Sequence, residues 1–484
     1  MTSTTTNTGA GTAHSARPPA LRRTLTTGRI VFLVVAAAAP MSGVVGSVPL
    51  AYALGNGPGV PATFVLAGLT LLCFSVGYAA MSRHVVSTGG FYTYIGQGLG
   101  RPLAVASGLT AVLAYTATAA GVAGAFGYFA ELTAASHGLT LPWQAATGTA
   151  LAVTALMGYR QIDLSARLLA VLTLAEMAIL LALTLAIGVR EGPAAFPAAS
   201  FTPHTVLTPT LGVALMFALI SYVGFEAAAQ YGEESRHPTR SVPVATYTSV
   251  ILITAFFALT SWAGVGAAGP DRLTATHQLG DFFFRLGDTY LGPAATTAMQ
   301  VLLCTSLFGA LLGLHTTADR YLYVLGRERI LPAPLAAIHP RHHSPHRASA
   351  ALTAVTTLIC AGFALAGAHP YTTLATTMLA LGTVGIVALQ TAVALAVIGF
   401  FRTRPDRHWW RTLTAPLLAA TALTTALTLL LSNFPLITGT TSPWINRLPW
   451  LLAATALAGL CHAAWIRHRD PARYTTLAKP SATP

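Results

Sequence analysis

Long apolar segments alternate with short polar ones along most of this 484-residue chain. A membrane-spanning helix needs about 20 predominantly apolar residues. That rule predicts twelve spans, near residues 30–54, 60–82, 102–132, 142–159, 168–189, 208–230, 243–267, 292–318, 348–368, 372–401, 412–433 and 448–466. The pattern therefore predicts an all-α polytopic membrane protein with twelve transmembrane helices.

Two of these spans are interrupted at matching positions in the two halves of the chain. The first contains the run Pro40–Gly46, and the sixth contains the run Ser221–Glu226. An interrupted helix frees backbone N–H and C=O groups that lipid cannot satisfy, so such a break is tolerated where it lines a cavity. A pair of broken spans at equivalent positions indicates a transporter's binding site.

The spacing of the spans predicts two repeats of five helices followed by two more. Because each repeat has an odd number of spans, the second is inverted relative to the first, and the two breaks face each other across a pseudo-twofold axis in the membrane plane. We expect a single transporter domain between a disordered Thr- and Ser-rich tail and a short cytoplasmic tail. The ranges are 1–26 for the first tail, 27–468 for the domain, about 30–189 and 208–401 for the repeats, about 412–466 for the extra helices, and 469–484 for the second tail.

Composition agrees with a membrane protein and fixes its orientation. Only 8% of the residues are charged, against about a quarter in a soluble protein. The net charge of +13 follows from basic residues gathered on one side of the membrane, because only Arg190, Arg272, Arg285 and Arg447 fall in segments on the other side. Basic residues collect in cytoplasmic loops. We therefore expect a multi-pass protein of the plasma (inner) membrane with both termini cytoplasmic, and no nucleic acid partner.

Several function classes are disfavoured by what the sequence lacks. It contains no Walker motif, no dinucleotide-binding fingerprint and no nucleophile elbow. Its four cysteines, Cys73, Cys304, Cys360 and Cys461, lie inside predicted spans without metal-ligand spacing. We therefore predict neither an enzyme nor a cofactor or metal site. A channel should show rings of charge in its pore, and a sensor should carry an output domain, so both stay distant alternatives.

Four stretches, taken together, resemble the amino acid–polyamine–organocation superfamily of secondary transporters. They are the break at Ser42-Gly43, the loop Ser87–Tyr94 with Ser or Thr where the family has Pro, the run Gly224–Glu226 with Gly232–Pro243 after it, and Arg320–Pro332. They follow the family's order and spacing from residue 30 to about 345, whereas the last two spans match only in number. The resemblance implies the leucine-transporter-like fold, with five plus five inverted helices, and a small-molecule substrate that is an amino acid or amine.

The resemblance assigns a role to the first break. Members of the family hold the substrate's carboxylate there, a role that passes to Ser42 and Gly43. Free N–H groups at the positive end of a half-helix suit a carboxylate, and Gly43 and Gly46 let a ligand approach the backbone. The alternative is that these small residues serve close helix packing.

The second break receives the complementary role. By the resemblance, the backbone of Ser221, Tyr222, Val223 and Gly224 accepts the substrate's ammonium group on freed carbonyls. Tyr222 and Phe225 could close over a bound ligand, although either aromatic ring could equally be packed inside the protein or face lipid. Phe225 has the stronger case because it lies within the matched motif.

Three acidic residues lie inside predicted spans: Glu131 near the outer end of the third, and Glu176 and Glu226 at greater depth. An ionised carboxylate deep in a span is costly and marks a functional-site hypothesis. The resemblance makes Glu226 a gating and proton-sensing residue. Glu176 lies in the fifth span, beside the cation site of sodium-coupled relatives, and is a candidate proton carrier. Alternatively, Glu226 is a structural acid bonded to backbone. Thr305 and Ser306 could instead offer hydroxyl oxygens to sodium, or they could bond their own helix.

These features predict a secondary active transporter that takes up an amino acid together with a proton by alternating access. The alternatives are an amine or polyamine carrier and an uncoupled amino acid exchanger. No lysine and few acids lie in the spans. A polycation would want more carboxylates around it, so a neutral amino acid with a small or apolar side chain is favoured.

Overall fold

The computed structural model describes residues 26–85, 89–160, 166–226, 235–236, 238–269, 273, 279–342 and 344–479. The regular elements of these ranges are helices. The longer ones are α1 (Thr27–Ala37), α2 (Pro40–Leu54), α3 (Val60–Ser82), α4 (Gly90–Leu99), α5 (Arg101–Ser136), α6 (Trp143–Arg160), α7 (Ala166–Glu191), α8 (Leu211–Ile220), α9 (Pro238–Ala268), α10 (Phe282–Tyr290), α11 (Pro293–Arg327), α12 (His346–Leu365), α13 (Thr376–Phe401), α14 (Ala415–Ser432) and α15 (Pro449–Arg469).

Short helical turns join these elements. Single α-turns lie at Pro203–Val206, Phe434–Thr438, Pro443–Asn446 and Pro471–Tyr474, and 3₁₀ turns at Gly57–Gly59, Gly192–Ala195, Ala198–Phe201 and Ala333–Ala336. Two π-helical turns, Pro370–Ala375 and Trp409–Thr414, lead directly into α13 and α14.

Ten helical segments of the described ranges are long and apolar enough to cross a membrane. They correspond to all the predicted spans except the fourth and the sixth. The fourth is α6, an 18-residue helix whose ends at Trp143 and Arg160 lower its hydropathy. The sixth, α8, has only 10 residues because the helix ends at the break. The all-α polytopic architecture is therefore confirmed, whereas the count of twelve spans and the domain boundaries stay predictions.

The centre of the bundle is built around the long helices α5 and α11, of 36 and 35 residues. Small residues on α5 let its neighbours come close. A Cβ atom placed on Gly121 would lie 2.9 Å from the backbone nitrogen of Leu379, and one on Gly124 would lie 2.7 Å from the Leu374 side chain. This close packing brings the start of α13 against α5, beside the breaks.

Both described ends of the chain lie at one end of the bundle, which we call the terminal face. Thr27 at the start of α1 lies 2.9 Å from Ser241, hydroxyl to hydroxyl, near the start of α9. Arg101, at the start of α5, donates to the carbonyl of Thr475 at 3.0 Å. We call the opposite end, where α2 ends at Leu54, the distal face.

Candidate functional site

The first broken span is interrupted between α1 and α2. Ala39 has a φ of 45° and a ψ of 69°, a left-handed conformation that residues other than glycine seldom adopt. Pro40 is the first residue of α2, where its missing N–H costs nothing, and its ring disfavours helical geometry at the residue before it. The break thus falls at Ala38-Ala39, just before the run Pro40–Gly46 in which the sequence placed it.

The second broken span ends as a helix at Ile220 and continues as turns to Glu226, the last described residue of this segment. Gly224 has a φ of 112°, which a side chain would strain. A Cβ atom on Gly224 would lie 3.0 Å from the carbonyl oxygen of Ala37, at the end of α1. The structure therefore brings the two breaks into contact.

A cavity of about 620 Å³ opens beside the two breaks. Of the site residues expected from the sequence, it is lined by Ser42, Gly43, Gly46, Ser221, Val223, Gly224 and Glu226. From the breaks the cavity extends toward the terminal face, past Leu33, Leu169, Thr317 and Arg320. The cavity and its extension toward the terminal face are therefore both formed by membrane-spanning segments.

Aromatic rings close the cavity toward the distal face. The Tyr371 ring stacks on Tyr128, with centroids 4.9 Å apart and planes 7° apart, and meets Phe129 edge-on. Its hydroxyl donates to the carbonyl of Gly46 at 2.8 Å. Tyr371 belongs to the π-helical turn before α13, a local geometry frequent at functional sites. We call these three rings the Tyr371 cover. Its bond to Gly46 joins the second half of the chain to the first broken span.

The Glu226 carboxyl group is buried and hydrogen-bonded at both oxygens. Oε1 accepts from the hydroxyl of Tyr115 at 2.7 Å, and Oε2 accepts from the backbone N–H of Gly224 at 3.0 Å. The backbone carbonyl of Glu226 accepts from Tyr78 at 3.2 Å. The Tyr115 ring in turn stacks on Tyr321 of α11, with centroids 5.7 Å apart. The hydrogen bonds link the second break to α3 and α5, and the stacked rings extend this link to α11.

Tyr115 was not among the residues expected from the sequence. It lines the cavity and is the one side chain that donates to the carboxyl group of Glu226 among the described residues. A signal was available, since Tyr115 is the only aromatic residue in the stretch 101–125, which is otherwise rich in Ala, Gly and Thr.

Glu176 caps the start of α2. Its Oε2 accepts from the hydroxyl of Ser306 at 2.8 Å and from the backbone N–H of Met41 at 3.3 Å, and the N–H of Ser42 donates to the same Ser306 hydroxyl at 3.4 Å. Because Pro40 has no N–H, Met41 and Ser42 carry the first free donors of α2. The protein's own carboxylate thus sits at the positive end of this half-helix.

The groups assigned to a substrate carboxylate are therefore engaged in this conformation. The Ser42 hydroxyl donates to the carbonyl of Ala39 at 2.8 Å, and the Gly43 N–H donates to the same oxygen at 3.1 Å. A Cβ on Gly43 would lie 2.6 Å from the Phe257 ring, so the glycine also makes room for that ring. A carboxylate can reach the N-terminus of α2 only by displacing Glu176 or Ser306.

Five of the expected residues do not line the cavity: Glu176 and Ser306, which cap α2, and Tyr222, Phe225 and Thr305. The Tyr222 hydroxyl donates to the carbonyl of Phe64 at 2.9 Å and lies 3.0 Å from the Thr254 hydroxyl. Phe225 meets Phe74 edge-on at 5.8 Å, so neither ring covers the cavity in this conformation. The Thr305 hydroxyl donates to the carbonyl of Leu302 in its own helix at 2.9 Å. The Tyr222 and Phe225 rings therefore contact residues of α3, and the Thr305 hydroxyl is bonded within α11.

Parts of the motif stretches, residues 87–88, 232–234 and 237, fall outside the described residues. In the described part of the chain, no three His, Cys, Asp or Glu side chains come together as a metal site. The chemistry available is therefore that of the Glu226 carboxyl group, hydroxyl groups and freed backbone groups at the cavity, with the Arg320 guanidinium toward the terminal face and the Glu176 carboxyl group beside it at the start of α2.

Comparison with known proteins places these features in context. Residues 25–456 match the sequence model of the family described as "Amino acid permease". The chain is 27% identical to an uncharacterized transporter of Mycobacterium tuberculosis over 360 residues, covering 74% of this chain and 76% of the relative. It is 25% identical to the methylthioribose transporter of Bacillus subtilis, covering 73% and 76%, and 24% identical to the branched-chain amino acid permease BcaP of the same organism, covering 60% and 65%.

Proposed function

The chain belongs to the amino acid permease family, and from that premise we propose that it takes up a neutral amino acid with a small or apolar side chain together with a proton. Family membership makes it a multi-pass membrane transporter of amino acids or related organic substrates, and not an enzyme. The substrate, the coupling ion and the direction of transport are the parts that we propose.

The contact between the two breaks is the observation that carries the proposal. Ser221, Val223 and Gly224 line the cavity at the second break, where the carbonyls freed by unwinding can accept from an ammonium group. At the first break, α2 offers its positive end a few ångströms away, since a Cβ on Gly43 would lie 3.4 Å from the Cβ of Ser221. An α-amino acid has a carboxylate that can bind at the first break and an ammonium group that can bind at the second.

The lining beyond the breaks favours an uncharged side chain. Val122, Ala125, Ala375 and Leu379 form the wall between α5 and α13. A charged side chain placed against these aliphatic groups would lose its hydration without gaining a partner. A small or branched apolar side chain would instead bury its own surface there.

The cap made by Glu176 offers a route to proton coupling. Ionised Glu176 holds the positive end of α2 and competes with a substrate carboxylate. Protonation removes its charge, weakens its hold on Met41 and Ser306, and frees the donors for the substrate. Proton and substrate then bind together, as in a symporter. Glu226, which lines the cavity, is the second candidate for the coupling residue.

The described contacts support sodium coupling less well than proton coupling. Thr305 bonds its own helix, and the Ser306 hydroxyl donates to Glu176 and accepts from Ser42. A sodium ion bound there would need oxygen ligands, which these hydroxyls could supply only after leaving their present partners.

We further propose that the terminal face is cytoplasmic and that the protein lies in the plasma membrane. The cavity then extends toward the cytoplasm while the Tyr371 cover closes the outside, which is an inward-facing conformation. Transport requires the two five-helix repeats, about 30–189 and 208–401, to rock about the breaks.

A second candidate function is the transport of an amine that lacks a carboxylate. It is favoured by the occupation of the α2 donors by Glu176, since an amine needs none of them. Such a substrate could bind the carbonyls of the second break and the carboxylate of Glu226. In this case the cap would stay in place through the cycle.

Uptake into proteoliposomes tests the proposal. The panel should contain labelled alanine, leucine, lysine and putrescine, with imposed proton or sodium gradients. We expect accumulation of alanine or leucine driven by a proton gradient and unaffected by sodium. Uptake of putrescine alone would favour the amine carrier, and uptake that is independent of both gradients would favour an exchanger. No uptake of any member under any gradient would refute the proposed function.

A further inference from the structure

A second cavity lies at membrane depth, away from the candidate site. It has a volume of about 1060 Å³ and is formed by α5, α11, α12, α13 and α15 with the segment before α15. None of its lining residues lines the cavity at the breaks. We call it the outer groove.

The outer groove follows the spanning helices for much of the bilayer. Along α12 its lining runs from Ala351 to Ala366, which is about 22 Å at the rise of an α-helix. The hydrocarbon core of a bilayer is about 30 Å thick. Toward the distal face the groove ends at Trp444, which is 82% exposed and suits the membrane interface. The groove thus crosses more than one leaflet.

The wall of the groove suits hydrocarbon chains. Leu113, Leu322, Ile359 and Phe363 are typical of its lining, and Thr116 already donates to its own helix at 2.6 Å. Such an apolar surface offers water no hydrogen-bond partners, so water is a poor occupant of the groove. Association of a second spanning helix favours small residues and hydrogen bonds between helices, whereas branched side chains prevail here. Acyl chains can adapt to this irregular surface.

The terminal end of the groove carries positive charge. Arg347 is exposed in the first turn of α12, one helical turn before Ala351 and on the same face. The N-cap residue, Pro345, provides no side-chain hydrogen bond to that turn. A helix N-terminus with free N–H groups and an adjacent guanidinium is suited to a phosphate. Basic groups near the ends of spanning helices attract anionic head groups.

We infer that the outer groove binds an anionic phospholipid, with its acyl chains along α12 and its phosphate at Arg347 and the N-terminus of that helix. The groove supplies the apolar contacts, and the terminal charge selects the head group. This inference depends on the protein's place in a membrane and not on its substrate.

Native mass spectrometry of the detergent-purified full chain tests the inference. The added probes are phosphatidylglycerol and phosphatidylcholine with identical long chains, phosphatidylglycerol with short chains, and inorganic phosphate. We expect the wild type to bind long-chain phosphatidylglycerol roughly tenfold more tightly than either of the other lipids, because charge-assisted hydrogen bonds and chain burial both contribute. Inorganic phosphate should not compete.

Two variants separate the head group from the chains. Arg347→Gln should reduce the preference for phosphatidylglycerol to about twofold or less. Gly362→Leu should weaken both long-chain lipids by roughly tenfold, since the new side chain occupies the groove. Gly148→Leu on α6 is the matched control, because a Cβ has nothing within 4 Å at either glycine, and it should leave lipid binding unchanged.

Several outcomes would overturn the inference. One is equal binding of the two long-chain lipids by the wild type; another is displacement of lipid by inorganic phosphate. A dimer that Gly362→Leu abolishes while lipid binding persists would assign the groove to a second copy. If Gly362→Leu does not yield monodisperse protein, chain length decides: equally tight binding of short-chain phosphatidylglycerol excludes a groove for acyl chains.

Discussion

Replacing Glu176 by Gln is the most direct test of the cap on α2. Glutamine keeps the size and one acceptor oxygen but removes the charge. The carboxylate now accepts from Ser306 at 2.8 Å and from the Met41 N–H at 3.3 Å. Hydrogen bonds to a charged group contribute about 1 kcal/mol more than neutral ones, so the two bonds together lose about 2 kcal/mol. The change should therefore loosen the cap without emptying the site.

A weaker cap should make the substrate bind more tightly at high pH. A loss of about 2 kcal/mol corresponds to a roughly 30-fold weaker competitor for the α2 donors. In the wild type, rising pH ionises Glu176, strengthens the cap and weakens substrate binding, so affinity should fall as pH rises. In Glu176→Gln this pH dependence should flatten, and accumulation driven by a proton gradient should be lost.

The assay is equilibrium binding of the labelled substrate at pH 5.5 and pH 8, followed by uptake with and without a proton gradient. Glu191→Gln is the control on the same helix, because Glu191 is exposed and accepts from Tyr290 at 2.7 Å. It should leave binding and coupling unchanged. The reasoning is refuted if Glu176→Gln binds substrate more weakly at pH 8 than the wild type does, or keeps the wild-type pH dependence and coupling.

Three further changes test other parts of the site. Tyr115→Phe removes the 2.7 Å bond to Glu226, which contributes roughly 1–3 kcal/mol; the maximal uptake rate should fall more than the affinity, and equal binding and rate in both proteins would count against a positioning role. Glu226→Gln should keep substrate binding but change the pH profile of uptake, and an unaltered profile would make this residue structural and leave Glu176 as the coupling residue. Gly224→Ala should lower the melting temperature, because it strains a φ of 112° and places a Cβ 3.0 Å from the carbonyl oxygen of Ala37, at about 1–3 kcal/mol. Gly148→Ala, at an exposed position inside α6, should melt at or slightly above the wild-type temperature, because alanine favours a helix more than glycine does. If Gly224→Ala melts no lower than the wild type, the breaks tolerate a side chain there.

The breaks could be located from the sequence because helix-breaking residues are conspicuous in an apolar segment. Their position was uncertain by a few residues, since Pro40 starts α2 and the distortion falls on Ala39 before it. The expectation that the two spans meet rested on repeat symmetry alone. In the structure, the two spans meet where Gly224 contacts Ala37.

The direction of side chains at the second break could not be predicted. Within a helix the period of 3.6 residues tells which side chains share a face, but Ser221–Glu226 are turns. Tyr222 and Phe225 therefore face α3, while Glu226 faces Tyr115. The partnership of Glu176 with Met41 joins residues 135 positions apart, so only the packing of α7 against α2 reveals it.

The cap on α2 has a consequence for the empty carrier. Donors left without a partner at membrane depth would each cost several kcal/mol, and that cost would fall on any state without bound substrate. With Glu176 and Ser306 at these donors, the empty protein is already satisfied and can change conformation alone. An exchanger must move only when loaded, whereas a symporter has to return empty. The internal ligand carried by this chain suits the second cycle.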